Sequence, residues 1–116
     1  MSERWKIIST NEIPSEIRRL KSLTKMERKL DVTCNPLVIN NNDLQWIYVE
    51  TLTDDDQIDC KFSTSYKEYH LVLILTKNIW EWNIFKNGTA LISNGENHNV
   101  DIALDECYSS LMLQVG

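Results

Sequence analysis

Residues 69–93, YHLVLILTKNIWEWNIFKNGTALIS, decide the fold of this chain. The stretch holds three apolar runs, which are separated by the dipeptides Lys77-Asn78 and Asn87-Gly88. Asn-Gly between alternating segments is a strong hairpin signal, because both residues adopt the positive φ angles that a two-residue turn requires. The segment therefore predicts three consecutive antiparallel strands.

The second turn also predicts a register. With Asn87-Gly88 as the two central residues, Lys86 faces Thr89 and Ile84 faces Leu91. One register then follows for the whole pair of strands, because a slip by one residue would exchange the two faces.

Patterns outside this stretch extend the sheet. Residues 44–52, LQWIYVETL, are rich in aromatic and β-branched types and predict a strand. An acidic turn at 53–56 leads into a returning strand around 58–62. Residues 4–9 alternate as a short strand, and residues 37–39 predict a short edge strand next to a proline.

Two helices complete the prediction. Over 13–30, apolar residues recur at three- and four-residue steps and the opposite arc is basic, which predicts one amphipathic helix. Asn99 is the expected N-cap of a final helix, with Asp101 in the first turn. The sequence thus predicts a single α+β domain over residues 1–116. Its antiparallel meander has about five strands, with an N-terminal basic amphipathic helix and a C-terminal helix packed on it.

Composition narrows the class of protein. The chain has 116 residues, 42% of them hydrophobic, yet no run reaches the roughly 18 apolar residues of a membrane span. The first residues, MSERWK, are charged where a signal peptide is apolar, so we expect a cytoplasmic protein with no membrane association. Three cysteines without a CxxC pair and two histidines without ligand spacing predict no disulfide framework, no metal site and no cofactor.

Charge is divided unevenly along the chain. Residues 1–30 carry eight of the twelve basic groups and four of the seventeen acids. The basic arc of the expected helix contains Arg18, Lys21, Lys25 and Arg28, and clustered cations bind nucleic acid by neutralising phosphates. The alternative is a solvated outer face, which a sequence pI of about 4.9 favours because DNA-binding domains are usually basic overall.

A second charged group is Asp54-Asp55-Asp56. A helix–loop–helix calcium loop starting there would need Gly where Asp59 stands and Glu where Ser65 stands, so we expect no calcium site. The acidic segment is either a solvated hairpin turn or a contact for a protein partner with a basic surface.

Trp80 and Trp82 alternate with Glu81 and therefore lie on one face of the predicted sheet. They are core residues if a helix covers that face and a docking patch if none does, and burial is the expectation. The two tryptophans, with Lys86-Asn87-Gly88, Gly95 and a closing amphipathic helix, form a pattern that resembles small phage and bacterial domains of unknown function. The resemblance implies no activity.

The expected function is protein binding. Because no catalytic or cofactor constellation is recognisable, we expect a small non-enzymatic protein-binding module, such as an inhibitor, immunity or accessory factor of phage or bacterial origin. The alternative is a nucleic-acid-associated regulator that uses the basic helix 13–30. A third hypothesis is an enzyme whose cleft contains Glu68 and His70. Self-association through an exposed sheet edge, at 37–39 or 4–9, is a further expectation.

Overall fold

The structure, a computed structural model, describes residues 5–49 and 58–116. A short 3₁₀ turn, Thr10–Glu12, precedes the first helix. The helices are α1 (Ile13–Lys21), α2 (Lys25–Cys34) and α3 (Val100–Val115). The strands are β1 (Lys6–Ile8), β2 (Leu37–Asn41), β3 (Leu44–Tyr48), β4 (Cys60–Tyr66), β5 (Tyr69–Thr76), β6 (Ile79–Lys86) and β7 (Ala90–Asn97).

The described strands form one sheet in chain order, β1 to β7. β1 and β2 are parallel, whereas every later pair is antiparallel. The α+β class is confirmed, but the sheet is mixed and larger than the expected antiparallel meander of about five strands. The parallel pair arises because α1 and α2 carry the chain across the sheet between β1 and β2, and parallel neighbours require such a crossover.

The segment 37–39 was wrongly expected at a sheet edge. It belongs to β2, which lies between β1 and β3. Pro36 does not prevent this position, because its carbonyl accepts a 2.8 Å hydrogen bond from the backbone N–H of Lys6. A proline just before a strand leaves the following donors in place.

Hairpin turns with two positive φ angles join three pairs of strands. Asn and Gly are frequent at such positions because they tolerate the left-handed region. The central pairs are Asn42-Asp43 between β2 and β3, Lys77-Asn78 between β5 and β6, and Asn87-Gly88 between β6 and β7. The two turns predicted within residues 69–93 are therefore confirmed. The turn expected at 53–56 and the end of the strand expected over 44–52 lie outside the described residues.

The register predicted for β6 and β7 is wrong by one residue next to the turn and by two residues farther along. Lys86 pairs with Ala90 because Thr89 still belongs to the turn, and Ile84 pairs with Ser93. A bulge on β7 adds the second residue of the shift, because Ile92 falls between the two residues that face Ile84 and Phe85. The extra residue lets Ile92 pack against the core, a preference that turn chemistry alone does not reveal.

The single helix expected over 13–30 is also wrong. The chain leaves the helical path after Lys21 and starts again at Lys25, because Thr24 accepts a hydrogen bond from Glu27 N–H and the Glu27 carboxylate accepts one from Thr24 N–H. This capping box defines the start of α2. Leu30, which the single helix would have buried, is 61% exposed.

The cap predicted for α3 is confirmed. The Asn99 side chain accepts a 3.1 Å hydrogen bond from Ile102 N–H, and Asp101 lies in the first turn. Asp101 also accepts a 2.7 Å hydrogen bond from the Thr10 hydroxyl, which ties the start of α3 to the segment before α1.

The core lies between one face of the sheet and the helices. Trp80 and Trp82, each 6% exposed, belong to this face with Ile84, as the alternation predicted. The expectation that the tryptophans are core residues is confirmed. The buried helix residues that pack in the same core are Ile13, Leu20, Ala103, Leu104, Cys107 and Leu111.

A close approach between Trp82 and Gly95 fixes β7 against this core. The two residues are directly opposite in the ladder. A Cβ added to Gly95 would lie 2.5 Å from Cζ2 of the Trp82 ring, far inside van der Waals contact. The indole ring thus occupies the space that any larger residue at position 95 would need.

We therefore expect Gly95→Ala to lower the free energy of unfolding by about 2 kcal/mol, because one extra carbon overpacks a filled site. Urea unfolding followed by tryptophan fluorescence measures the loss. In the background of Trp82→Ala the same change should cost much less, since the ring that it meets is gone. If Gly95→Ala lowered the free energy of unfolding equally in both backgrounds, the added methyl group would not be clashing with the Trp82 ring.

Candidate functional site

The basic residues of the expected helix do not share one surface. Arg18 and Lys21 belong to α1, whereas Lys25 and Arg28 belong to α2 after the break at Ser22–Thr24. The predicted continuous arc of cations is therefore divided between two helices. Lys21 is also engaged, because its Nζ lies 2.8 Å from the Asp59 carboxylate just before β4.

A chain of ion pairs joins β1, α1 and α2. Lys6 Nζ lies 2.5 Å from one oxygen of Glu16, and Arg19 Nε lies 2.9 Å from the other. The Arg19 guanidinium also donates two hydrogen bonds, of 2.9 and 3.0 Å, to the Asp31 carboxylate. Two parallel bonds of this kind fix orientation as well as distance, so the network sets how α2 lies against α1.

These contacts shift the carboxylate pKa values. Burial alone would raise the pKa of Glu16, but hydrogen bonds from Lys6 and Arg19 outweigh burial and hold it below the ordinary value of 4.5. The Arg19 hydrogen bonds lower the pKa of Asp31, and Asp31 raises the pKa of Arg19 in return. At neutral pH both carboxylates are ionised and bound.

A shallow groove of about 370 Å³ lies between α1 and the β5–β6 hairpin. It brings together three of the predicted site residues, Arg18, Lys21 and Trp80. His98 also lines it and is held 3.3 Å from the Asn78 carbonyl oxygen through Nδ1. Its charged side combines Arg18 with the Lys21–Asp59 ion pair, so the groove has no large excess of either charge.

The predicted acidic site does not enter this geometry, because Asp54, Asp55 and Asp56 lie outside the described residues. Trp82, the remaining predicted residue, lines a different groove. The candidate site residues are therefore distributed over several surfaces of the molecule.

The outer side of α3 is a surface that the sequence reasoning missed. Ile102, Glu106, Ser109 and Leu113 follow one another at steps of four, three and four residues, which places them on one helical stripe. Ile102 is 48% exposed and Leu113 is 82% exposed, although the opposite side of α3 is buried in the core. We call these four residues the outer stripe of α3.

A shallow groove of about 450 Å³ runs along the outer stripe. Trp82 forms part of its lining, and Asp105 and Glu106 supply carboxylates. The indole N–H of Trp82 is buried and finds no hydrogen-bond acceptor among residues 5–49 and 58–116. The groove therefore combines exposed apolar groups with negative charge.

The sequence did contain a signal for this surface. Surface helices usually carry polar residues on the side away from the core, but α3 has large apolar residues on both sides. The final helix was expected to have a single apolar side, which packs on the sheet. The outer stripe was overlooked because one apolar stripe already explained why the helix packs.

The thiols and histidines are dispersed. Burial raises the pKa of Cys60 and of Cys107 to about 12, so both thiols are protonated at neutral pH. Cys34 is exposed on α2. His70 pairs with Ser65 and Phe85 on the sheet face opposite the core. In the ranges that the structure describes, no three His, Cys, Asp or Glu side chains are grouped as metal ligands.

The chain was compared with known protein families, curated proteins and solved structures. The chain matches no known protein family, no curated protein and no solved structure. No helix in the described part of the chain is long and apolar enough to cross a membrane.

The ion-pair network predicts a pH-dependent stability. Because the pKa of Glu16 is lower in the folded state, its contribution is present above the ordinary value of 4.5 and is lost as the pH falls through the folded value. At pH 7 we expect Glu16→Gln to cost about 1–2 kcal/mol. The difference from the unmodified protein should shrink as the pH falls below 4.5.

Urea unfolding at a series of pH values measures this difference. Glu68→Gln, at an exposed position in the turn between β4 and β5, is the matched control and should leave stability nearly unchanged at every pH. A constant gap between Glu16→Gln and the unmodified protein over that pH range would mean that the Glu16 charge does not contribute.

Proposed function

We propose that this protein is a small non-enzymatic protein-binding module, and that it binds its partner through the outer stripe of α3 and the adjoining groove. Such a module acts as an inhibitor, immunity or accessory factor. Its activity then depends on the shape and charge of a surface rather than on a reactive group.

The main support for this proposal is that the side chains of Leu113 and Ile102 are exposed to solvent. The two side chains lie on the same stripe of a helix whose other side is already buried. Exposed apolar groups that cluster beside polar ones are typical of protein–protein interfaces, whereas single exposed apolar residues are common everywhere. Trp82 adds part of a large buried ring to the lining of the same groove.

The charge of this surface defines the partner. Asp105 and Glu106 lie beside the stripe, and the neighbouring turn of α3 carries Asp101. The partner should therefore present Lys or Arg next to a large apolar side chain, because a positive rim speeds encounter and an apolar anchor supplies affinity.

Nucleic acid is the less favoured alternative. The expected phosphate-binding helix is broken after Lys21, and Lys21 is paired with Asp59. The groove beside α3 is acidic and would repel phosphates. Binding to nucleic acid through Arg18, Lys25 and Arg28 would have to use two helices at once.

Selection of random displayed peptides on the immobilised protein tests the proposal. We expect the enriched peptides to combine Lys or Arg with a large apolar residue. Leu113→Lys should weaken the binding of a selected peptide at least about tenfold, because it removes an apolar contact and adds a repelling charge. Leu91→Lys, an equally non-conservative change at an exposed apolar position on β7, is the control and should leave binding unchanged.

Two results would contradict the proposal. Peptides without basic residues, or peptides that bind Leu113→Lys as well as the unmodified protein, would remove the outer stripe as the binding surface. Tight binding of a fluorescent DNA or RNA at about 50 mM salt, falling steeply as salt rises, would favour the nucleic-acid alternative.

A further inference from the structure

The outer edge of β7 is open in the described part of the chain. β7 is the last strand of the sheet there, so β6 borders it on one side only. Beyond the bulge at Ile92, residues 93–97 pair with β6 in a regular register. No backbone hydrogen bond from another element within residues 5–49 and 58–116 reaches residues 93–97. An edge strand of this kind presents unpaired N–H and C=O groups to a further strand.

The groove along the outer stripe of α3 opens at this edge. Trp82 lines the groove, and its ring lies over Gly95 of β7, where an added Cβ would meet Cζ2 at 2.5 Å. Ser110 also lines the groove, and its hydroxyl lies 2.6 Å from the Ser93 hydroxyl of β7. A strand added to β7 would therefore place the side chains on its helix side in the groove, against Trp82 and the outer stripe.

The opposite side of the same edge carries two acids without a cation. Glu96 on β7 lies directly opposite Glu81 on β6, and both side chains are exposed. Like charges at opposite positions of an antiparallel pair destabilise it. Neither carboxylate forms an ion pair with any residue that the structure describes. A Lys or Arg next to Glu96 on an added strand would offset this repulsion.

We propose that the partner binds as an extended segment, which adds a strand to the sheet beside residues 93–97 of β7. The backbone of the segment pairs with the open edge and supplies affinity, while its side chains supply specificity. Because alternate side chains point to the two sides of a sheet, apolar residues enter the groove beside Trp82 and basic residues lie next to Glu96. The segment therefore alternates Lys or Arg with large apolar residues. This inference rests on the proposed function, since it states the form in which the partner reaches the outer stripe of α3.

Other occupants suit this edge less well. β7 contains no Lys or Arg, so pairing it with β7 of a second copy would add carboxylates to the edge and no cation. A helical partner would fill the groove but would leave the edge N–H and C=O groups without strand partners. An extended basic segment satisfies the open edge, the groove and the two acids together.

Two synthetic peptides of identical composition test the inference. One alternates Lys and Val over seven residues, and the other has the same residues in blocks. Only the alternating order puts the valines on one side of an added strand and the lysines on the other. In fluorescence anisotropy titrations at about 50 mM salt, we expect the alternating peptide to bind at least about tenfold more tightly.

Amide hydrogen exchange followed by NMR reports the added strand directly. Binding should slow exchange at alternate residues within 93–97, because their outward N–H groups become hydrogen-bonded. Methylating the backbone nitrogens of one set of peptide residues, either the lysines or the valines, should weaken binding at least about tenfold. Methylating the other set should not, because those N–H groups point away from β7, so it is the internal control.

Charge reversal at Glu96 tests the position of the cation. Glu96→Lys should raise the dissociation constant of the alternating peptide about threefold to tenfold, because a repulsion replaces an attraction across the added pair. Glu68→Lys, the same change in the exposed turn between β4 and β5, is the control and should leave binding unchanged. Far-UV circular dichroism and urea unfolding show whether both variants are folded.

Three kinds of result would overturn the inference. The first is no binding of the alternating peptide at concentrations up to about 1 mM, or binding no tighter than that of the block peptide. The second is weakening by both sets of methyl groups or by neither, which would exclude strand pairing. The third is protection of residues 93–97 that rises with the concentration of the protein alone, which would make a second copy the occupant. In each case a displayed peptide that Leu113→Lys weakens would still support the outer stripe as the partner site, so the two proposals fail separately.

Discussion

Three hairpin turns hold their central residues at positive φ, and the alternation of side chains along a strand makes these turns decide which residues reach the core. In β5 and β6 the chosen register places Leu73 opposite Trp82, and β7 then places Gly95 beside the same ring. A slip by one residue would exchange the two faces of the sheet. Core packing, the position of α3 and the composition of both surfaces all follow from this register.

The bulge at Ile92 shows how packing adjusts that register locally. Ile92 packs against the core, and the Ser93 hydroxyl lies 2.6 Å from the Ser110 hydroxyl of α3. A regular hairpin would send these neighbouring side chains to opposite faces. The bulge also interrupts an edge strand, which is a common way to limit unwanted strand pairing.

The two faces of the molecule have different chemistry for a physical reason. A sheet with all its helices on one side must either solvate its other face or cover it with another molecule. Here the face away from the helices carries Lys61, Glu81 and Glu96 in one row with Ile74, whereas the outer stripe of α3 is apolar with a negative rim. The two surfaces therefore differ in charge and in apolar content.

Some features of the structure could be predicted from residues that are neighbours in the sequence. The turns at Lys77-Asn78 and Asn87-Gly88, the burial of Trp80 and Trp82, and the Asn99 cap follow from residues that are close in sequence. The capping box at Thr24 was equally local and was missed because the apolar spacing over 13–30 suggested one helix. The outer stripe of α3 was also present in the sequence as apolar residues on both sides of a helix.

The sequence by itself determined the α+β class and the turns, because alternation and positive φ depend on neighbouring residues only. Tertiary structure alone decided that β1 pairs parallel to β2, that Ile92 is bulged, and that Lys21 pairs with Asp59. These outcomes depend on which distant groups fill the same space and which charges meet there, and no local pattern encodes such contacts.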